Sequence, residues 1–262
     1  MATLSANRLT LGYQRQAILR ELSLDLPEGR ISVLVGSNGC GKSTLLKALA
    51  RLLTPWQGQV ALDGQDIRQR PTKAVARTLS LLPQHPVAPE GISVRQLVGL
   101  GRHPHQSWLA QWSEDDERAV EQALLRTGLD DLSEQRVETL SGGQRQRAWI
   151  AMAVAQDTPL MLLDEPTSFL DLTHQMEVLE LLVSLNRDAG KTIVMVLHDL
   201  NLACRYADHI VAIREGRVHA QGRPQAVITQ ARVKEIFQLE CRVIEDPFFH
   251  TPLCIPFGKG AA

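Results

Sequence analysis

The stretch Gly36, Ser37, Asn38, Gly39, Cys40, Gly41, Lys42, Ser43, Thr44 carries chemistry that its neighbours do not. It fits the spacing G-x-x-x-x-G-K-[ST], in which glycines let successive backbone N–H groups curl inward onto phosphate oxygens. On this reading Lys42 reaches the β- and γ-phosphates of a nucleotide, and the Ser43 hydroxyl ligates Mg²⁺. Cys40 stands beside Lys42 and a helix start, surroundings expected to favour its thiolate. A second stretch, Leu160–Glu165, ends in two carboxylates. Asp164 suits Mg²⁺ held through its water shell, and Glu165 suits orientation or deprotonation of an attacking water. His198 and Gln84 each close another apolar run. Gln84 is either a plain loop residue or an amide that meets Mg²⁺ and the attacking water. A lone histidine is more often structural, but His198 ends a core strand beside the place assigned to phosphates, and that favours a functional role.

These groups need rigid elements to hold them. Ile31–Val35 is a short β-branched and aliphatic run, and Leu45–Ala50 is a run of good helix formers. Strand, glycine loop and helix is the context in which the phosphate loop works, because the helix adds unpaired N–H groups and its dipole. Leu160–Leu163 and Thr192–Leu197 read as strands buried on both faces of a parallel sheet, with ligands expected past their carboxyl ends. Residues 8–30 read as short strands, Arg8–Leu11 and Ile18–Leu24, around a polar turn at Gly12–Gln16. Tyr13 in that turn is a half-buried turn aromatic or a platform for a purine ring, and sequence alone favours the former. Val60–Leu62 runs into Asp63-Gly64, a hairpin signal, and Leu79–Leu82 is a further core strand.

Residues 85–156 change character: strand patterns give way to helical ones, with Ser113 and Asp116 as a helix start and Gly128 just past its end. This reads as a helical lobe inserted into an α/β core. The lobe closes with Leu140, Ser141, Gly142, Gly143 and Gln144 ahead of another helix, a second glycine-led anion cradle. One nucleotide does not need two such cradles from one chain, so the second is expected to serve a nucleotide held by another copy. Leu172–Asp188 reads as a helix, 209–221 as a closing hairpin, and 227–262 as a helix followed by Pro-rich extended chain with a flexible Gly258-Lys259-Gly260 end.

Composition sets outer limits. With 262 residues, 44% hydrophobic and 22% charged, the chain can bury a sizeable core. A net charge of −1 gives no basic field for nucleic acid. No apolar run approaches the ~20 residues that cross a bilayer, and Met1–Arg8 has no signal-peptide core. Cys40, Cys204, Cys241 and Cys254 form no C-x-x-C pair, so neither zinc nor a disulfide framework is indicated, and a reduced cytosolic chain is expected.

Together these residues resemble the nucleotide-binding subunit of an ATP-binding-cassette (ABC) transporter, along essentially the whole chain. The Leu140–Gln144 signature ahead of an apolar–Asp–Glu strand is the most specific feature. The resemblance implies a P-loop NTPase core of parallel sheet, an antiparallel β-subdomain and an inserted helical subdomain. It divides the chain into 1–84 with 157–226, 85–156, and a C-terminal extension 227–262. It matches Tyr13 to the adenine-stacking aromatic, Gly36–Thr44 to the Walker A loop and Gln84 to the lever between lobes. Asp164 and Glu165 match the Walker B aspartate and catalytic glutamate, Asp171 the dimer-contacting aspartate, and His198 the switch histidine. The family further implies a head-to-tail homodimer with two ATP and Mg²⁺ sites, peripheral attachment at the cytoplasmic face of the membrane, and integral-membrane permease subunits. A substrate-binding protein is implied indirectly. A finer similarity is to importers of ferric siderophores and related iron chelates, carried by Leu82–Gln84, Pro86–Gly91, Gly101–Gln106, Arg145–Met152, His198–Ala203 and Glu245–Pro247. Ser37 and Ser168-Phe169 depart from that group, which often has Pro and Thr-Tyr there. A cobalamin or haem importer and a soluble ATPase of iron–sulfur assembly are the alternatives.

Overall fold

The structure, a computed structural model, describes residues 3–107 and 112–257. In chain order its elements are β1 (Leu4–Tyr13), β2 (Gln16–Leu26), β3 (Ile31–Val35), α1 (Lys42–Leu49), β4 (Gln57–Leu62) and β5 (Gln65–Asp66). Next come α2 (Thr72–Ala76), β6 (Leu79–Leu82), α3 (Val94–Leu100), α4 (Glu114–Arg126), α5 (Gly142–Ala155), β7 (Leu160–Leu163) and α6 (Leu172–Ala189). The chain continues through β8 (Thr192–Val196), α7 (Leu200–Tyr206), β9 (His209–Arg214) and β10 (Arg217–Gly222). It closes with α8 (Pro224–Val227), α9 (Gln230–Phe237), β11 (Cys241–Glu245) and β12 (Pro252–Pro256). Two compact units form, Met1–Gln69 with Thr192–Ala262, and Arg70–Lys191.

In the first unit, β1 lies between β2 and β4 in an antiparallel sheet that β5 extends. The β1–β2 hairpin turns on Gln14 and Arg15 alone, both with positive φ (46° and 67°), as a tight two-residue connection requires. Both strands run further than their apolar pattern suggests, and bulges explain why. Leu4, Ala6, Leu9 and Leu11 are all buried, yet they change parity between Ala6 and Leu9, where the register shifts and Arg8 takes φ 46°. Each bulge resets the alternation that sequence reading depends on. Elsewhere in this unit β3 pairs in parallel with β8 on one side and β9 on the other. Every residue of β3 and β8 is buried. At about 1.5–3 kcal/mol per fully buried aliphatic side chain, these strands are a large share of the unit's stability.

The C-terminal segment is more ordered than an extended tail. Cys241–Glu245 pairs antiparallel with Pro252–Pro256, Val243 facing Cys254. Pro252 and Pro256 sit at the ends of β12, where a missing N–H is tolerated. The Gly258-Lys259-Gly260 end lies outside the described residues.

In the second unit β6 and β7 pair in parallel, Leu79 with Leu160 through Leu82 with Leu163. Helices α3, α4 and α5 pack on one another. Each begins with a capping box: Ser93 with Gln96, Ser113 with Asp116, Ser141 with Gln144. Arg102 and Asp116 form a buried ion pair at 2.9 Å, and Arg102 Nη1 also donates to the Ala155 carbonyl at 2.7 Å. One guanidinium thus ties the end of α3 to α4 and α5. Burial alone would raise the Asp116 carboxyl, but Arg102 and Ser113 outweigh it and hold it below the usual carboxylate range.

That pair generates a test. Arg102→Ala leaves a buried carboxylate without its cation and should cost about 3–5 kcal/mol, read as a lower urea midpoint at neutral pH. A depressed folded-state pKa stabilises above the unfolded value of 3.8 and loses that contribution as pH falls through the folded value. The gap between wild type and variant should therefore narrow on acidification below that value. A gap independent of pH would remove Asp116 ionisation from the account.

Candidate active site

The phosphate loop leaves β3 at Val35 and enters α1 at Lys42. Gly41 is the N-cap of α1 with φ 106°, and a Cβ there would lie 2.6 Å from Leu19 Cδ2, so only glycine fits. No side chain caps α1, so its N-terminal end is presented as backbone, the arrangement that receives an anion. Lys42 is buried, and its ammonium donates to the carbonyls of Gly36 (2.8 Å) and Ser37 (3.1 Å). Backbone acceptors thus hold the cation inside the concavity of its own loop. Ser43 is half-buried and Thr44 buried, while Ser37, Asn38 and Gly39 are exposed along the outer arc. The expectation of a thiolate at Cys40 is corrected. Burial pushes this thiol up, and the neighbouring Lys42, with its Nζ 3.9 Å from Sγ, offsets that only in part. Desolvation wins because Cys40 is 6% exposed. Tyr13 ends β1 beside the two-residue turn and is 44% exposed, which is compatible with either reading of its ring.

His198 belongs to the same unit. The Leu197 N–H donates to the Leu34 carbonyl at 3.4 Å, extending the β3–β8 ladder to the residue before His198. Because β3 and β8 run parallel, the phosphate loop and His198 emerge at one edge of the sheet. Asp199 then caps α7, its Oδ1 accepting from Asn201 N (2.7 Å) and Leu202 N (2.9 Å).

In the second unit β7 delivers Asp164, which is 3% exposed, with its N–H donating to the Leu82 carbonyl at 2.9 Å. Glu165 takes φ 54°, a left-handed conformation that costs a non-glycine residue of order 1 kcal/mol. Two side chains hold its carboxylate there. Gln84 Nε2 donates to Glu165 Oε2 at 2.6 Å, and Ser168 Oγ donates to the same oxygen at 2.8 Å. Gln84 and Glu165 are thus brought together across 81 residues of chain. Ser168 is a site residue that motif reasoning missed. The one signal was its position three residues after the carboxylate, where a short hydroxyl can reach back.

The Leu140–Gln144 stretch forms the start of α5. Ser141 Oγ accepts from Gln144 N at 3.2 Å, and Gln144 Oε1 accepts from Ser141 N at 3.0 Å. Arg145 Nη2, also missed by the sequence reading, donates to the Glu138 and Leu140 carbonyls and pins the approach to this turn. A Cβ on Gly143 would fall 2.3 Å from His174 Cδ2, so any side chain there would have to displace the His174 ring. His174 meets Asp171 in turn: its N–H (2.9 Å) and ring Nδ1 (2.7 Å) both lie on Asp171 Oδ1. The His174 N–H, then its ring, hold the exposed Asp171 carboxyl below the usual range. Asp171 is therefore the N-cap of α6.

No helix among the described residues is long and apolar enough to cross a membrane. The ABC transporter family model matches residues 19–168, more than half of the chain. The chain is 62% identical over 259 residues to the achromobactin transport ATP-binding protein CbrD of Dickeya dadantii (strain 3937), covering 99% of this chain and 96% of that protein. It is 49% identical over 261 residues to the ferric enterobactin transport ATP-binding protein FepC of Escherichia coli (strain K12), covering 100% and 96%. A solved structure of an ABC transporter in an inward-facing conformation superposes with a TM-score of 0.85 at 30% identity, covering 100% of this chain and 99% of that chain. The parallel strands, antiparallel sheet and helical segment are those of an ABC ATPase. With its glycine loop, its acidic strand end and its helix-starting signature in place, the chain belongs to the ABC transporter family as an ATP-hydrolysing, ATP-binding subunit.

Proposed function

We propose that this ATPase powers import of a ferric siderophore or related iron chelate through separate integral-membrane permease subunits. End-to-end similarity to a ferric enterobactin transport protein carries the cargo assignment. The Gln84–Glu165 contact supports the chemistry, since a carboxylate held in position by an amide is the kind of group that can orient a nucleophilic water.

In this reading the backbone N–H groups of Gly36–Thr44 and the Lys42 ammonium bind the phosphates of ATP, and Tyr13 stacks on adenine. Ser43, Asp164 and Gln84 supply hard oxygen donors of the kind Mg²⁺ takes. Mg²⁺ held by these donors would supply positive charge against the charge that develops on the transferring phosphoryl group. Glu165 orients or deprotonates the water, and His198 holds the γ-phosphate in line. A second copy, stacked head to tail, brings its Ser141–Gln144 turn and Asp171 to each nucleotide and completes two sites. Hydrolysis removes the contacts that close the dimer, and the motion passes through the helical segment 85–156 to the permease. A cleft of about 690 Å³ supports that docking role. It is lined by Glu90, Ile92, Arg95, Leu100, His103 and Trp112, with Leu100 and Trp112 half exposed. The subunit sits on the cytoplasmic face of the membrane by these protein contacts, and a substrate-binding protein delivers cargo on the other side.

Two outcomes follow. Glu165→Gln keeps the shape and loses the base, so ATP stays bound while turnover falls by at least ~100-fold. Gel filtration with ATP and Mg²⁺ should then show more dimer than wild type, and wild-type turnover in the variant would take Glu165 out of the mechanism. In cells, loss of the gene should impair growth on a ferric siderophore as sole iron source, and Lys42→Ala should not restore it. Normal uptake, in a strain with no substituting ATPase, would refute the cargo while leaving the ATPase assignment intact.

A further inference from the structure

The helix that follows His198 is held from outside by the C-terminal hairpin. Asn201 and Arg205 stand four residues apart on α7 and so share one face. Asn201 Nδ2 donates to the Cys254 carbonyl at 3.2 Å, and the Cys254 N–H donates to Asn201 Oδ1 at 2.7 Å. This amide takes the place of a third strand on the edge of β12, satisfying both backbone groups of one residue. One turn on, Arg205 Nε donates to Asp246 Oδ2 at 2.8 Å. The guanidinium also lies 4.8 Å from the centroid of the Phe249 ring.

Asp246 is the knot of the hairpin turn. Its side chain is 1% exposed. Oδ1 accepts from the N–H groups of Phe248 (2.9 Å) and Phe249 (3.2 Å), while the Asp246 backbone bonds to Thr251 and His250. One carboxylate therefore shapes the turn with one oxygen and grips α7 with the other. Breaking it loosens both.

The geometry matters because of where α7 begins. His198 and Asp199 span the gap between β8, fixed by its ladder, and α7. At seven residues α7 is far below the length at which a helix is stable alone, so tertiary contacts decide its position. We infer that the hairpin Cys241–Pro256 is a brace that positions His198, with Asn201, Arg205 and Asp246 as positioning residues for ATP hydrolysis. The inference rests on the reading above that His198 holds the γ-phosphate.

The test uses the full chain and the variants Asn201→Ala, Arg205→Ala, their double, Arg205→Lys and Asp246→Asn, with His198→Ala as reference. The double variant should lower kcat roughly tenfold, the scale of a misplaced catalytic group, and move KM for ATP by less than about twofold. Arg205→Lys, which keeps a cation for Asp246, should recover most of the loss. Hydrogen exchange should quicken in peptides spanning 197–206 and stay unchanged across 31–49. Because Asp246→Asn keeps an acceptor for the turn, it should show the same pattern with the hairpin still folded. Unchanged kcat, a loss that falls on KM, or unchanged exchange over 197–206 would each overturn the brace. If His198→Ala itself hydrolyses ATP normally, the underlying assignment of His198 fails. If His198→Ala is disabled while the brace variants turn over normally, only the brace fails.

Discussion

Strands buried on both faces leave no room for a charged side chain, since only small hydroxyls such as Ser32 and Thr192 interrupt their apolar runs, and that constraint limits where this protein can do chemistry. Ile31–Val35, Leu160–Leu163 and Thr192–Val196 are buried at every position. Functional groups are therefore displaced to the residues just past each strand. Gly36 follows the first, Asp164 and Glu165 the second, His198 the third, and Gln84 comes two residues after β6. The same burial supplies the rigidity. A strand locked by ladder bonds and apolar packing delivers the next residue with little freedom, so the group need not find its place on binding. Glu165 shows the cost and its compensation: an unfavourable φ is accepted because Gln84 and Ser168 hold the carboxylate where the strand ends.

The parts legible in the sequence were those whose cause is local. The phosphate loop, the buried strands, the helix start at Ser113 and the acidic pair are short-range patterns, and each element lies where its pattern predicted. What escaped depends on residues distant in sequence. Gln84 reaches Glu165 across 81 residues, and Asn201 reaches Cys254 across 53. No periodicity encodes either contact. The hairpin at the C-terminus was hidden by its prolines, which read as extended chain until a partner strand is known. Cys40 failed for another reason. Its neighbours in sequence favour the thiolate, but burial is a property of the folded state, and it outweighs the nearby lysine.

A buried carboxylate paired with a guanidinium serves the two units in the same way. Arg102–Asp116 in one and Arg205–Asp246 in the other each pair a guanidinium with a carboxylate at 2.8–2.9 Å. Each carboxylate also accepts a backbone N–H: Asp116 from Ser113, Asp246 from Phe248 and Phe249. Such pairs contribute little net stability over apolar packing. Their value lies in direction. A leucine cluster tolerates sliding, whereas a guanidinium held by a carboxylate and, for Arg102, by the Ala155 carbonyl has one satisfied geometry.

The two glycine-led helix starts show how far a shared motif logic can diverge. Gly41 gives α1 no side-chain cap, and Lys42 lies inside the loop, so this end is built to receive an anion. Ser141 and Gln144 give α5 a complete capping box, each satisfying the other's backbone. An anion reaching α5 must compete with a cap already made, at a cost of about 1 kcal/mol per displaced bond. The first start is committed to phosphate by its own sequence; the second is stable without one. That asymmetry supports the proposal that this turn stands intact in one copy and engages a nucleotide held by another. At Gly143 the ring of His174, itself bonded to Asp171, packs directly against the turn. The cap keeps the turn folded, and the contact with His174 fixes its place against α6.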